Sequence, residues 1–408
     1  MTGKEILQKA ICYEQEIQEI RRQLHQNPEV GFDIPKTKKY VQEKLKAYGY
    51  HPIECGKAGL IAIAGGKKSG KVILLRADMD ALPIKEETDL EFCSKNGKMH
   101  ACGHDMHTAM LLGAAKILKE QEDEIEGTVK LMFQSAEEIL EGAKDMVEKG
   151  VLENPKVDAA MMLHVMADMP FPSGSILVSA PGVSAPAADY FKIKVQGKGC
   201  HGSMPNKGVD SLTVAAHILI ALQEIHAREL ACNEQVVLTI GSLHAGEAAN
   251  VIPDVATMSG CIRTFAEDTR VYVKKRLIEI AEDTAITFRA KADVEFGSGC
   301  PALKNQTELS VFMENTMPEL LGEEKVFSVS KLKENEEGKE ISKLSGSEDF
   351  AYISRKVPSI MLALAAGEPK NGYSYPQHHP KVQFDESVLP IGCAVYVYSA
   401  IRWLQEQK

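Results

Sequence analysis

Ala101-Cys102-Gly103-His104-Asp105-Met106-His107 places a thiol, two imidazoles and a carboxylate within the six positions from Cys102 to His107. Thiolate and imidazole are good ligands for borderline-soft divalent cations. Cys102 and His104 are therefore read as metal ligands. Gly103 supplies a bend that lets both face one site, and Asp105 and His107 are read as support on a helix that begins near Asp105.

More donors stand downstream, each just past an apolar run. Glu137-Glu138 follow Val129–Phe133, His164 follows Ala159–Leu163, and His378-His379 follow Ser359–Leu364 across a Gly/Pro-rich loop. Short, nearly continuous apolar runs predict buried strands of a parallel sheet. Open parallel sheets form their sites at the carboxyl ends of strands. Four segments thus deliver thiolate, imidazole and carboxylate to one sheet edge. Cys, His and Glu together favour Zn, Co, Ni or Mn over Mg or Ca. Five ligands exceed what one hydrolytic zinc uses, which points to two divalent metal ions about 3.5–4 Å apart sharing a bridging water. One carboxylate of the Glu137-Glu138 pair then binds metal and the other serves as general base. The competing reading is a solvated helix start, where acids are favoured by the dipole.

The elements needed to position these residues are legible. Helical periodicity predicts helices over 4–25, 35–48, 105–121, 137–149, 307–320 and 387–403; strands are predicted at 61–64, 72–75, 129–133, 159–163 and 359–364. Strand–helix alternation predicts an α/β fold with a mixed, mostly parallel sheet flanked by helices. The stretch Ser179–Pro186 reads as a hinge. Beyond it, strands at 190–195, 236–240, 256–264 and 292–296 alternate with helices at 211–225 and 270–289. These two strand–helix–strand units predict an inserted α+β domain over 185–297, within a discontinuous main domain of 1–184 and 298–408.

Composition narrows the class. The 408 residues are 44% hydrophobic and carry 57 acidic against 47 basic side chains, a net charge of −10. That balance argues against nucleic acid or an anionic membrane as partner. No apolar run approaches the ~18 residues of a spanning helix and no signal core opens the chain, so a cytoplasmic protein is expected. The nine cysteines lack framework spacing and, Cys102 apart, read as reduced and mostly buried thiols.

Four motifs in order also resemble a known family. They are Arg76-Ala77-Asp78-Met79-Asp80-Ala81-Leu82-Pro83, Ala101–Thr108, Gln134-Ser135-Ala136-Glu137-Glu138 and Leu163-His164. They are joined by Asn250-Val251-Ile252-Pro253, Arg263, Gly346–Phe350 and His378-His379-Pro380. Together they resemble the amidohydrolases that include aminoacylases, hippurate hydrolase, auxin-conjugate hydrolases and N-acetyldiaminopimelate deacetylase, a branch of the dinuclear metallopeptidases related to carboxypeptidase G. The resemblance runs from about residue 16 to the C-terminus. It implies a zinc-peptidase-like main domain, and a ferredoxin-like satellite domain that commonly dimerises and would make the protein a homodimer or higher homo-oligomer. It implies Cys102, His104, Glu138, His164 and His378 as ligands, with His378 preferred over His379, and Glu137 as base. It further implies substrate-binding or supporting roles for Asp80, His201, Asn250, Arg263 and Glu348, with His201 polarising the scissile carbonyl, in some relatives from a partner subunit.

Other residues carry blander readings beside sharper ones. Asp78 and Asp80 are either turn residues or supports that orient His104, and Glu348-Asp349 either a surface turn or supports near the site. Arg263 suits a substrate carboxylate or a structural ion pair. His25 and Glu29 are read as helix-end packing. The chain departs from the family pattern at Ser135, usually Pro, at Ile139-Leu140-Glu141, usually a glycine run, and at Asn206, often His. The bulk beside the base bears on substrate range. The expected activity is hydrolysis of N-acyl-L-amino acids to a carboxylic acid and a free amino acid. The alternative is a dipeptidase or carboxypeptidase-like enzyme acting on short peptides. A catalytically silent binding protein is disfavoured because all five ligands and the base are present.

Overall fold

The computed structural model describes residues 1–332 and 346–407. It divides into two units: Met1–Ser184, Leu303–Leu344 and Asp349–Lys408 in one, Ala185–Ala302 and Ser345–Glu348 in the other.

The first unit is built on an eight-stranded sheet in the order Ile53–Cys55, Gly59–Gly65, Glu126–Gln134, Lys68–Asp78, Ala159–Met166, Ser359–Ala365, Ile176–Val178, Val326–Ser328. Four of the seven pairings are parallel. The central strands are buried along nearly their whole length, which is why their sequences read as unbroken apolar runs. Two of the helices that cover the sheet are its most deeply buried. His104–Glu120 buries most of its residues, and Leu389–Glu406 packs against it. The stretch Glu386–Glu406 is long and apolar enough to cross a membrane, which the sequence reading had not anticipated. Here 78% of its apolar window is buried inside the protein, as for a core helix.

Three expectations are corrected. The helix expected over 4–25 is two, Gly3–Cys12 and Glu14–His25, broken at Tyr13. Tyr13 turns to hydrogen-bond Glu120 and to lie under Lys116, both on the central helix. The helix expected from 137 begins only at Gly142. Ala136 and Leu140 adopt left-handed φ of 60° and 57°, which no α-helix accommodates. All nine cysteines are free, but only Cys55, Cys102, Cys300 and Cys393 are buried.

The second unit carries an antiparallel sheet in the order Val236–Ala245, Val255–Thr264, Ala187–Gln196, Lys291–Cys300. Helices Ser211–Ala221 and Glu267–Thr287 complete a β-α-β-β-α-β order, the ferredoxin-like arrangement. Phe191, Ile193 and Val195 point into its core while Tyr190, Lys192 and Lys194 face solvent, the period of two expected of a one-sided sheet. Val273, Leu277, Ala281 and Ala285 line the facing stripe of the long helix.

Candidate metal centre

The strand Lys68–Asp78 ends at a carboxylate, and two residues on Asp80 turns both its side chain and its backbone toward the Cys102–His104 turn and the Glu137-Glu138 turn. Its carbonyl oxygen lies 2.9 Å from His104 Nδ1. Its carboxylate accepts the N–H groups of Glu137 and Glu138 at 3.0 and 3.2 Å. A carbonyl only accepts, so His104 Nδ1 carries the proton and Nε2 presents its lone pair. His164 repeats the device, with Nδ1 2.7 Å from Val165 O.

Gly103 makes the turn possible. Its φ is +89°, in the left-handed region, and a Cβ there would stand 2.4 Å from Val165 Cγ2. The helix starting at His104 has no side-chain cap; its first turn is pinned by its own side chains. His107 Nδ1 meets Asp78 Oδ1 at 2.6 Å and its Nε2 accepts Val165 N–H at 2.8 Å. Thr108 Oγ1 donates to Asp78 O at 2.6 Å. With both nitrogens engaged, His107 is the supporting residue expected of it.

The Glu137-Glu138 turn is equally constrained. Leu140 N–H donates to Glu137 O, and Gly142 N–H to Ala136 O. A Cβ at Gly142 would lie 1.6 Å from Ser135 O, so only glycine closes this turn. In place of a glycine run, Ile139 is partly exposed and Leu140 is buried.

These turns converge. Ligand atoms of Cys102, His104 and His164 lie within 4.8 Å of one another, as do those of Cys102, Glu138 and His378 and those of His104, Glu137 and Glu138. Cys102 Sγ is 3.7 Å from His164 Nε2, and His378 Nε2 is 3.6 Å from Glu138 Oε2. His378 adopts φ of +66° and its N–H donates to Ala101 O at 2.9 Å, tying the last donor to the first segment. His379 instead stacks on Tyr375. A further group, Asp78, His104 and His107, is closed by its internal hydrogen bond.

The electrostatics of the donor set suit a divalent cation. Burial, reinforced by Glu138, holds the Cys102 thiol well above its ordinary pKa. Burial, with Asp80 and Asp78 adding to it and His104 opposing it, pushes Glu138 up to about 7. Burial drives the His164 imidazole well below its ordinary value, and His107 adds to the effect. Burial works against the His104 cation as well, but Asp78 and Cys102 outweigh it and hold that imidazole well above the usual range. Divalent cations at this donor set would make thiolate and carboxylate the stable forms. His104 Nε2 and Glu138 Oε1 are buried with no hydrogen-bond partner, the condition of atoms that ligate a cation. The residues present therefore fit a divalent metal, and the overlap of these donor groups fits a pair.

Residues 74–402 match the model of Peptidase family M20/M25/M40. The chain belongs to that family. It is 35% identical over 396 residues to IAA-amino acid hydrolase ILR1-like 2 of Arabidopsis thaliana, covering 95% of this chain and 85% of that protein. It is 34% identical over 393 residues to N-acetylcysteine deacetylase of Bacillus subtilis (95% and 97%). It is 36% identical over 392 residues to thermostable carboxypeptidase 2 of Saccharolobus solfataricus (94% of each). Among solved structures, the Bacillus subtilis YXEP protein, a dinuclear metal-binding peptidase of the M20 family, superposes with a TM-score of 0.76 at 30% identity, over 97% and 99% of the two chains. This M20 chain is accordingly an enzyme that hydrolyses amide bonds.

The remaining expected residues of the M20 chain lie in the second unit. His201 is exposed, with Nδ1 2.8 Å from Ser203 Oγ. Asn250 lies beside it because Val251–Ile252 pairs with Cys200–His201 and Gly202 N–H donates to Asn250 O. Arg263 donates to Ser347 Oγ at 2.6 Å. Glu348 is buried. Asp349, in the first unit, accepts from Arg76, Gln134 and the Ala143 N–H, linking two strand ends to the helix after the Glu pair. Arg21 and Glu86 escaped sequence reasoning. The available signal was a cation at position 21, on the face that carries Ile17, Ile20 and Leu24.

Proposed function

We propose that this chain hydrolyses N-acyl-L-amino acids to a carboxylic acid and a free amino acid, using two divalent ions drawn from Mn, Zn, Co or Ni. The observation that carries the reading is the convergence of Cys102, His104, Glu138, His164 and His378 beside a second carboxylate, Glu137. The ligand set is assigned to those five residues and the base to Glu137. Its relatives among acyl-amino-acid hydrolases support the substrate class.

Bound divalent cations supply Lewis-acid polarisation of the amide carbonyl and an acidified water. Glu137 takes a proton from the attacking water as its oxygen bonds to the acyl carbon. Glu137 then gives that proton to the amine nitrogen as the C–N bond breaks. Asp80 accepts the Glu137 and Glu138 backbone N–H groups, which fixes the turn that carries both carboxylates. His201, Asn250, Arg263 and Glu348 are assigned to the substrate, Arg263 as partner of its carboxylate and His201 to the oxyanion. The ferredoxin-like unit is assigned as a satellite that pairs two copies in a homodimer, and the protein is placed in the cytoplasm.

Acetyl, benzoyl and indoleacetyl amino acids, assayed after reconstitution with each metal, test the activity. Glu137→Gln is expected to keep its metal and lose nearly all turnover; turnover within about tenfold of wild type removes the base assignment. The similarity to a carboxypeptidase favours a second reading, action on short peptides. Preference for dipeptides over every acyl amino acid in the panel establishes it.

A further inference from the structure

Beneath the Cys102–His104 turn lies a second buried polar cluster that the chemistry above does not use. Arg21 Nε and His25 Nδ1 both reach one oxygen of Asp105, at 2.7 and 2.8 Å. His25 Nε2 lies 3.1 Å from Glu86 Oε1, and Glu86 in turn accepts Ser94 N–H at 2.6 Å. Arg21 also donates to Glu386, and the Arg21 and Arg22 guanidinium groups lie over the Phe92 ring. Arg21, His25, Asp105 and the Glu86 side chain are all essentially inaccessible to solvent.

Stability alone does not explain such a cluster. A buried ion pair contributes no more than well-packed apolar side chains of similar volume. Nor is this one arranged to satisfy every atom: Arg21 Nη2 and Asp105 Oδ1 have no hydrogen-bond partner. What the arrangement does is fix a position. Two rigid donors on one helix, Glu14–His25, converge on a single oxygen of the residue next to His104. The helix that begins at His104 has no side-chain cap to set its first turn. Asp105 is therefore one of its anchors, alongside the bonds from His104 to Asp80 and from His107 to Asp78.

We propose that Arg21 and His25 are positioning residues for the metal-binding turn: their joint grip on Asp105 sets the direction of His104, and Glu86 ties the loop ahead of Cys102 into the same grip. This rests on reading Cys102 and His104 as metal ligands.

The test is competition for Mn or Zn against a chromogenic chelator on the full chain, with the melting temperature measured alongside. Residues that orient metal ligands are worth about 10–100-fold in metal affinity, and Arg21→Met is expected to lose that much. Because this variant also leaves the buried Asp105 carboxylate without its guanidinium partner, with His25 alone beside it, the deciding variant is R21M/D105L, which removes both charges. Its melting temperature is expected to recover toward wild type while its metal affinity stays low. His25→Asn, which leaves Asp105 paired with Arg21 and Glu86 still bonded to Ser94 N–H and Thr88 Oγ1, is expected to weaken metal binding by about tenfold. Wild-type affinity in R21M/D105L or in His25→Asn overturns the positioning role. A wild-type protein that binds neither ion overturns the metal reading itself, and this inference with it.

Discussion

Replacing Gly103 by alanine isolates the turn on which the metal centre depends. Two costs are readable from the structure. The residue sits at φ +89°, where an L side chain costs about 1–2 kcal/mol. The new methyl would also stand 2.4 Å from Val165 Cγ2 and 3.2 Å from Phe384 Cζ. Relieving that overlap moves the turn or the strand by about 1 Å, and overpacking of this kind costs about 1–3 kcal/mol. Gly103→Ala should therefore lower unfolding free energy by about 2–5 kcal/mol in urea titrations. Since Val165 neighbours His164, and Gly103 separates Cys102 from His104, the displacement falls between three donors. Misplacement by about 1 Å costs on the order of 100-fold in turnover. Val165→Ala clears the space but leaves the backbone strain, so a double-mutant cycle should recover about 1–3 kcal/mol of coupling. A G103A protein within 1 kcal/mol of wild type (a threshold of about one ordinary point mutation) and with undiminished turnover would refute this account of the turn.

Three other outcomes are expected. Asp80→Asn sets an amide nitrogen against the Glu137 or Glu138 N–H that the carboxylate accepts; metal affinity should fall by about 10–100-fold, and unchanged binding in a chelator competition would count against it. Lys130 is buried with its ammonium donating to the carbonyls of Val151, Glu153 and Pro155 at 3.0, 2.7 and 2.9 Å. Lys130→Met strands those acceptors and should cost about 3 kcal/mol or more, against which a loss below about 1 kcal/mol would speak. Burial raises the pKa of Glu16, but its bonds to Lys116 and Tyr48 outweigh that and hold it below the ordinary 4.5. A depressed carboxyl stabilises the fold above the unfolded value, and the contribution disappears as pH falls through the folded one. The melting-temperature gap between wild type and Glu16→Gln should thus be level at neutral pH and shrink in acid; a gap that widens in acid contradicts the assignment.

Much of this was legible because periodicity and burial coincide. Val72–Leu75, Val129–Phe133, Ala159–Leu163 and Ser359–Leu364 are apolar because both faces of their strands are covered, so their order and the donors after them could be read directly. What escaped depends on conformation or on distant partners. Acids at 137 and 138 look like a helix start; that Ala136 and Leu140 would take left-handed φ leaves no trace in residues without glycine's freedom. His25 reads as helix-end packing because its partner Asp105 lies 80 positions away. The preference for His378 over His379 came from the family pattern, whereas the positive φ of the first and the Tyr375 stack of the second appear only in the fold. The break at Tyr13 lies inside an uninterrupted helical pattern and is imposed by contacts to the central helix.

The central sheet also sets a timetable for synthesis. Strand Ala159–Met166 has Lys68–Asp78 on one side and Ser359–Ala365 on the other, and roughly 190 residues of chain separate it from that second neighbour. At about 5–20 residues per second, its outer edge waits about 10–40 s on the ribosome. The four-stranded unit is complete in sequence well before that wait ends. The nascent chain thus holds Cys102, His104, Glu138 and His164 in an unfinished sheet until Ser359–Ala365 emerges, and His378 arrives last of the five.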